Sequence, residues 1–236
     1  MSKIVHPFAH RLGIIRDWKS RWFAVDKNYR TNLKSDVLIR RMLEKELRGQ
    51  YAAGIEFERS AKALRIIVKT SRPGLIIGRG GDGSVKLRNK IVALMTREKL
   101  PIPEIKLDIE EIRSPESNAA IVSYMVAESL EKRLPFRRVL KQTIEKVMAN
   151  RDVKGVRIAL GGRLGGGDMA RTEELKKGRI PLQTFRADID YHREKAIMPY
   201  GVIGIKVWIY RGDIFAETAE SKALEARAGG KRPAAK

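Results

Sequence analysis

Hydrophobic and polar positions alternate along this chain in two distinct rhythms, and the changes between them divide it. Over about 36–48, Val37, Leu38, Met42, Leu43 and Leu47 share one side of a helix, with Asp36 placed to cap its start and Gly49 just past its end. The rhythm then shortens to two. Ile55 and Phe57 alternate with Glu56 and Glu58, and Leu64, Ile66 and Val68 follow in the same manner, which predicts a hairpin. A glycine-rich turn, RPGLIIGRGGDGS, leads into a helix over about 84–98 with Val85, Ile91, Val92, Leu94 and Met95 inward. Pro101 and Pro103 stop it, and Ile105, Leu107 and Ile109 mark a third strand over about 105–112.

The segment SPES at 114–117 reads as a boundary. Ser114 or Ser117 can cap a helix running to about 134. Pro135 opens another helix, whose apolar set Phe136, Val139, Leu140, Ile144, Val147 and Met148 lies close to ideal helical spacing. Strands are predicted over about 155–161, 182–191 and 202–210, the last reading VIGIKVWIY. Between the first two, GGRLGGGDMARTEELKKGR predicts a glycine-rich loop and a short polar helix. The fold class is α+β. An arm over 1–35 and a first domain over 36–113 precede a second α+β domain over 114–212, with a small mixed or antiparallel sheet packed on helices. A basic low-complexity tail occupies 213–236.

Charge changes the picture from shape to partner. The 236 residues hold 49 Lys and Arg against 28 Asp and Glu, a formal net charge of +21. Such an excess opposes a compact state unless a polyanion screens it, which points to nucleic acid or an anionic surface. No segment pairs a large apolar face with a basic one as a membrane-surface helix does, and no run reaches the roughly 18 apolar residues of a membrane span. Cysteine is absent, which excludes disulfides, thiolate catalysis and thiolate metal sites. No HExxH, GxSxG or phosphate-loop motif occurs, so no enzyme and no cofactor is expected.

Three basic clusters and the arm carry the candidate chemistry. Gly78, Arg79, Gly80 and Gly81 form a GxxG turn that lets a sugar-phosphate backbone approach a helix N-terminus, as in the clamp of KH folds. The same stretch also spells G-x-G-x-x-G through Gly78, Gly80 and Gly83, with Glu98 at the distance of a ribose-binding acid. It also fits a tight turn without a ligand. Arg137, Arg138 and Lys141 lie beside the apolar stripe of the Pro135 helix, thickened by Lys132 and Arg133. Cations in a helix's first turn oppose its dipole by ~0.3–1 kcal/mol each, a local rule broken in the manner of a binding site. Arg163, Arg171, Lys176 and Arg179 flank the second glycine loop and suit phosphate contacts. In the arm, Arg11, Lys19 and Arg21 interleave with Trp18, Trp22 and Phe23, rings that either stack on bases or anchor the arm to its own domain. Asp188 and Asp190 share a strand face, as a metal pair or as a solvated face.

Several long segments resemble the bacterial form of the small-subunit ribosomal protein three family. They are HPFAHRLGIIRDWKSRWF at 6–23, RPGLIIGRGG at 72–81, LPFRRVLK at 134–141, GRLGGGDMARTE at 162–173 and RADIDY with YGVIGIKVWIY within 186–210. The resemblance implies a type II KH domain followed by a C-terminal α+β domain, placed in the head of the small subunit. It implies contacts with ribosomal RNA and with neighbouring small-subunit proteins ten and fourteen, and a cytoplasmic setting. It also implies that Arg137, Arg138 and Lys141 face messenger RNA where it enters, supporting unwinding. The turn here is Gly-Arg-Gly-Gly, whereas the family usually carries a second basic residue at the position of Gly80. A free-standing KH-type RNA chaperone or regulator is the alternative function, sharing the glycine turn without needing the second domain.

Overall fold

The computed structural model describes residues 5–60 and 63–214. The chain opens with one helical turn, α1 (Pro7–His10), and a two-residue strand, β1 (Ser20–Arg21). Helix α2 (Asp26–Glu46) follows, then the hairpin strands β2 (Ala52–Arg59) and β3 (Ala63–Thr70). A short helix α3 (Pro73–Ile77) and the longer α4 (Asp82–Arg97) lead to β4 (Glu104–Glu111). The strands lie in the order β1-β2-β3-β4, with β2 antiparallel to β3 and β4 parallel to β3. Helix, strand, strand, helix, helix, strand is the type II KH order. Ile39 and Leu43 of α2 and Ile91 and Met95 of α4 meet Phe57, Leu64, Ile66 and Val68 from the sheet in one core.

Helix α2 starts ten residues before the expected position, inside what read as the arm. Its first turn has no side-chain cap, and Asp36 is a buried residue of its third turn rather than its cap. Asp36 instead accepts hydrogen bonds from Arg59 and from the Trp22 indole, both at 2.7 Å. In α4 the inward face is Leu87, Ile91 and Met95, and Val85 points to solvent.

The second half begins at α5 (Ala119–Glu131), capped by Asn118, whose side chain accepts from the backbone of Ala120 and Ile121. Neither serine of SPES caps it. Helix α6 (Phe136–Met148) starts directly after Pro135 and buries Val139, Leu140, Ile144 and Val147, as its spacing requires. Four strands follow: β5 (Gly155–Gly162), β6 (Arg171–Gly178), β7 (Ala187–Met198) and β8 (Gly201–Asp213), in the order β6-β5-β8-β7, all antiparallel. Helices α5 and α6 cover one face, sealing Val156, Ile158, Leu160, Ile203, Ile205, Val207 and Ile209.

Two elements depart from expectation here. The polar segment 171–178 is an edge strand, not a helix, because pairing with β5 along its whole length supplies its hydrogen bonds. The strand expected over 182–191 starts at Ala187 and runs to Met198. Residues 181–186 instead form turns whose carbonyls point at Arg11. Strand β8 extends to Asp213, and the expected tail beyond Ile214 lies outside the described residues. No helix among the described residues is long and apolar enough to cross a membrane.

A candidate nucleic-acid interface

The glycine turn joins two helices. α3 ends at Ile77, Gly78 (φ 72°), Gly80 (φ 63°) and Gly81 (φ 88°) reverse the chain, and α4 starts at Asp82. Gly83 sits against the end of α3, where a Cβ would come within 2.3 Å of the Ile76 carbonyl oxygen. Its place in the G-x-G-x-x-G spelling is therefore a matter of helix packing. Glu98 is the C-cap of α4 and pairs with Lys34 at 3.0 Å, not at a strand end where a ribose would be held, so the dinucleotide reading has no acid to complete it. Arg79 projects from the turn into solvent.

At the start of α6 the fold brings two predicted clusters together. Arg137 lies 3.3 Å from Glu173 of β6, and Arg171 of the same strand lies 3.5 Å from that carboxylate. Both guanidinium groups sit over the Phe136 ring, at 5.7 and 5.5 Å from its centroid. Arg138 and Lys141, one helical turn apart, are exposed and have no ion pair among the described residues. Lys132, which seemed to thicken the patch, is tied to Glu128 at 2.6 Å. Arg133 adds an exposed cation in the α5–α6 turn with φ 61°.

The other candidates divide by environment. Arg163 is largely spent on the glycine loop itself, donating to the carbonyls of Gly167 (2.9 Å) and Tyr200 (3.2 Å) and pairing with Asp168. Lys176 and Arg179 are exposed at β6 and just beyond it. Lys19 is exposed and lies over the Phe8 ring. Arg21 pairs with Glu58 at 2.7 Å and Glu56 at 3.0 Å, and the hydrogen bond to Arg21 holds the Glu58 carboxyl below its usual range. Trp22 anchors the arm through Asp36, whereas Trp18 and Phe23 are exposed.

Arg11 is the clear correction. Expected as an RNA contact, it is wholly buried. It donates to the carbonyls of Ala187 (2.6 Å), Pro7 (3.0 Å), Thr184 (2.8 Å) and Leu182 (3.1 Å), and reaches Pro181 at 3.4 Å. Desolvation pulls its pKa down, and those carbonyls stand in for the lost water. Asp188 and Asp190 are likewise neither a solvated face nor a metal pair. Arg16 holds Asp188 at 2.6 Å, while Arg211 and the backbone N–H of Ala119 hold Asp190 at 3.0 and 2.9 Å. Among the described residues no group of three or more His, Asp or Glu is placed to bind a metal ion.

Sequence reasoning missed one basic surface. Arg157, Arg193, Lys195 and Lys206 lie on three different strands, and pairing brings them to a single sheet face. The signal was present as the alternation of Arg193 with Lys195 and of Lys206 with apolar neighbours, but only the register joins them.

Comparison with known proteins matches a profile described as KH domain to residues 38–117 and one described as ribosomal protein S3, C-terminal domain, to residues 126–209. The small ribosomal subunit protein uS3 of Caldicellulosiruptor bescii is 46% identical over 219 residues, covering 93% of this chain and 96% of that protein. The uS3 of Clostridium perfringens is 42% identical over 228 residues, covering 97% and 100%. The chain belongs to the uS3 family. uS3 proteins are structural, non-enzymatic constituents of the ribosome. The two profile matches fall on the two sheets of this uS3, the KH match covering β2–β4 and the C-terminal match β5–β7 with most of β8.

Proposed function

We propose that this protein binds ribosomal RNA in the head of the small ribosomal subunit and contacts messenger RNA where it enters, supporting unwinding as the ribosome moves. Family membership supports the coarser statement, a small-subunit constituent that binds ribosomal RNA. The observation that carries the finer one is the start of α6. Arg138 and Lys141 stand exposed and, among the described residues, unpaired on a helix rigidly seated by Val139, Leu140, Ile144 and Val147, with Arg137 and Arg171 held beside them by Glu173 and Phe136. Cations fixed on a rigid helix hold phosphates at low entropic cost, and exposed ones without a protein partner are free to exchange along a moving strand. The separation of a messenger duplex is then driven by translocation, and these residues grip the strand. Arg79 of the KH turn and Lys176 and Arg179 provide further phosphate contacts, and small-subunit proteins ten and fourteen are the expected protein neighbours.

The test replaces Arg137, Arg138 and Lys141 together by Ala. Small subunits should assemble with the variant at normal occupancy, while translation through a messenger hairpin slows. Unchanged pausing at the hairpin removes the reading.

A further inference from the structure

The face of the second sheet turned away from α5 and α6 carries an organised hollow. Three rows of side chains cross it. In one, Lys176, Arg157, Trp208 and Tyr191 are neighbours from β6, β5, β8 and β7. The next is Glu174, Ala159, Lys206 and Arg193, and the third is Thr172, Gly161, Gly204 and Lys195. Ala159, Gly161 and Gly204 leave the floor bare, making a cavity of about 580 Å³ whose far rim is His6, set edge-on to Tyr191.

Two features of this surface break rules that a purely structural sheet keeps. Arg193 and Lys206 are directly opposite across β7 and β8, and like charges in that position destabilise a sheet. Neither they nor Lys195 has a side-chain ion partner among the described residues. Trp208, lining the hollow and 6% exposed, has a buried indole N–H with no hydrogen-bond acceptor among the described residues. Over its ring, at 4.9 Å, lies the Arg157 guanidinium, fixed from the side by Glu174 at 2.5 Å.

We infer that this sheet face is a binding site for single-stranded RNA: Arg193, Lys195 and Lys206 hold consecutive phosphates while one unstacked base enters the hollow over Gly161 and Gly204 and stacks against Arg157. The charge selects a polyanion. The bare floor and the planar guanidinium select a nucleobase, which presents a flat face. An acidic peptide would satisfy the lysines but has no use for the flat floor. The inference rests on the reading of the protein as RNA-binding and adds a site on the opposite side of the sheet from α6.

The test uses the purified full chain and a labelled short oligouridylate, titrated over a range of salt. Replacing Arg193 and Lys206 together by Ala should lower the slope of log affinity against log salt by about 1.4, or about 0.7 for each lost single-strand phosphate contact. Gly204→Val keeps the charge and is sterically admissible, since a Cβ there meets nothing nearer than the Gly161 carbonyl oxygen at 3.7 Å. By filling the hollow it should weaken binding about tenfold, the effect of one lost stacked base, with the salt slope retained. If both variants bind like the parent while Arg138→Ala with Lys141→Ala weakens binding, the sheet site is overturned and the proposed function stands. If the parent itself shows no salt-dependent binding, both fall. Crosslinking in intact small subunits gives an independent readout: a crosslink from Lys195 or Lys206 to RNA supports the site, and one only to a neighbouring protein overturns it.

Discussion

Asp36 and Arg59 form an ion pair at 2.7 Å with side chains only 2% and 8% exposed, and this pair joins helix α2 to the end of strand β2. Arg59 also donates to the Ser35 hydroxyl and the Asn32 side-chain oxygen, and Asp36 accepts a hydrogen bond from the Trp22 indole N–H, so arm, helix and sheet meet at one polar cluster. Removing one partner of a buried pair leaves the other charge without solvent or counter-ion. Asp36→Ala should therefore destabilise the protein by about 3–5 kcal/mol. Asp36→Ala combined with Arg59→Leu should cost less than the single change. Urea unfolding of the double variant and of both single variants checks this, and a double loss equal to the sum of the two single losses would show that the pair carries no coupling.

Arg11 offers a prediction that separates architecture from RNA contact. Its guanidinium fills a cage of carbonyls from α1 and from the turn before β7, and a lysine ammonium cannot reach them all. Arg11→Lys should cost at least about 3 kcal/mol, since each orphaned buried acceptor costs about 1–3 kcal/mol. The salt dependence of RNA binding by the folded fraction should not change. A reduced slope at unchanged stability would restore Arg11 to the RNA interface.

These two residues also show where the sequence was legible. Helix α6 could be read from spacing alone, because its burial follows a single apolar stripe. The KH hairpin could be read because strand alternation and burial coincide. Asp36 was read as a cap because an acidic residue before an apolar stripe favours a helix start, and Arg11 as an RNA contact because it lies in a basic arm; only three-dimensional packing reveals a charge enclosed by partners distant in sequence. Strand β6 was misread for the converse reason. TEELKK favours a helix locally, and its extended state is imposed by the neighbouring β5. The basic clusters were legible as clusters. That Arg137 and Arg171 share Phe136 and Glu173, and that Arg193 faces Lys206, depends on pairing between segments.

The KH turn supplies a third prediction. A Cβ at Gly83 would press into the Ile76 and Ile77 carbonyls, at 2.3 and 2.9 Å, whereas nothing lies within 4 Å of one at Gly80. Gly83→Ala should force α3 and α4 apart, with a loss of at least about 2 kcal/mol and faster amide exchange in α3. Gly80→Lys meets only the positive φ, so it should cost about 1 kcal/mol while adding a cation to the turn and raising RNA affinity. A Gly83→Ala protein as stable as the parent would contradict the close helix packing.

A pH dependence follows from the seam where Arg48, just past α2, donates to Glu131 of α5 at 2.9 Å and to the Lys195 carbonyl of β7 at 3.2 Å. Burial pushes the Glu194 carboxyl up, but the His192 ring 3.7 Å away, the Lys195 backbone N–H and the Arg48 charge outweigh it and hold the group below its ordinary value. The Tyr124 hydroxyl on the same seam is pushed up, by burial first and then by Glu194, and stays protonated across the range concerned. A depressed carboxylate favours the folded state above its unfolded pKa of about 4.3, and that contribution disappears as pH falls through the lower folded value. The parent should lose stability on acidification below about pH 5, and Glu194→Gln should flatten that part of the curve. Parallel curves for the two proteins would remove Glu194 from the acid response.

Arg133 occupies a position where the backbone favours glycine. It follows the C-cap of α5 with φ 61°, a left-handed conformation that disfavours a side-chain-bearing residue by about 1–2 kcal/mol. Glycine there would relieve the strain, while its greater unfolded-state freedom offsets part of the gain, so Arg133→Gly should stabilise the protein by up to about 1 kcal/mol. The arginine is exposed, and it adjoins the start of α6, where Arg138 and Lys141 are exposed too. A strained cation beside a candidate messenger grip is what selection for binding at the expense of stability would leave. The stabilised Arg133→Gly protein should then support slower translation through a hairpin than the parent. If it is more stable and equally fast, the arginine has no part in the grip and its strain has no functional return.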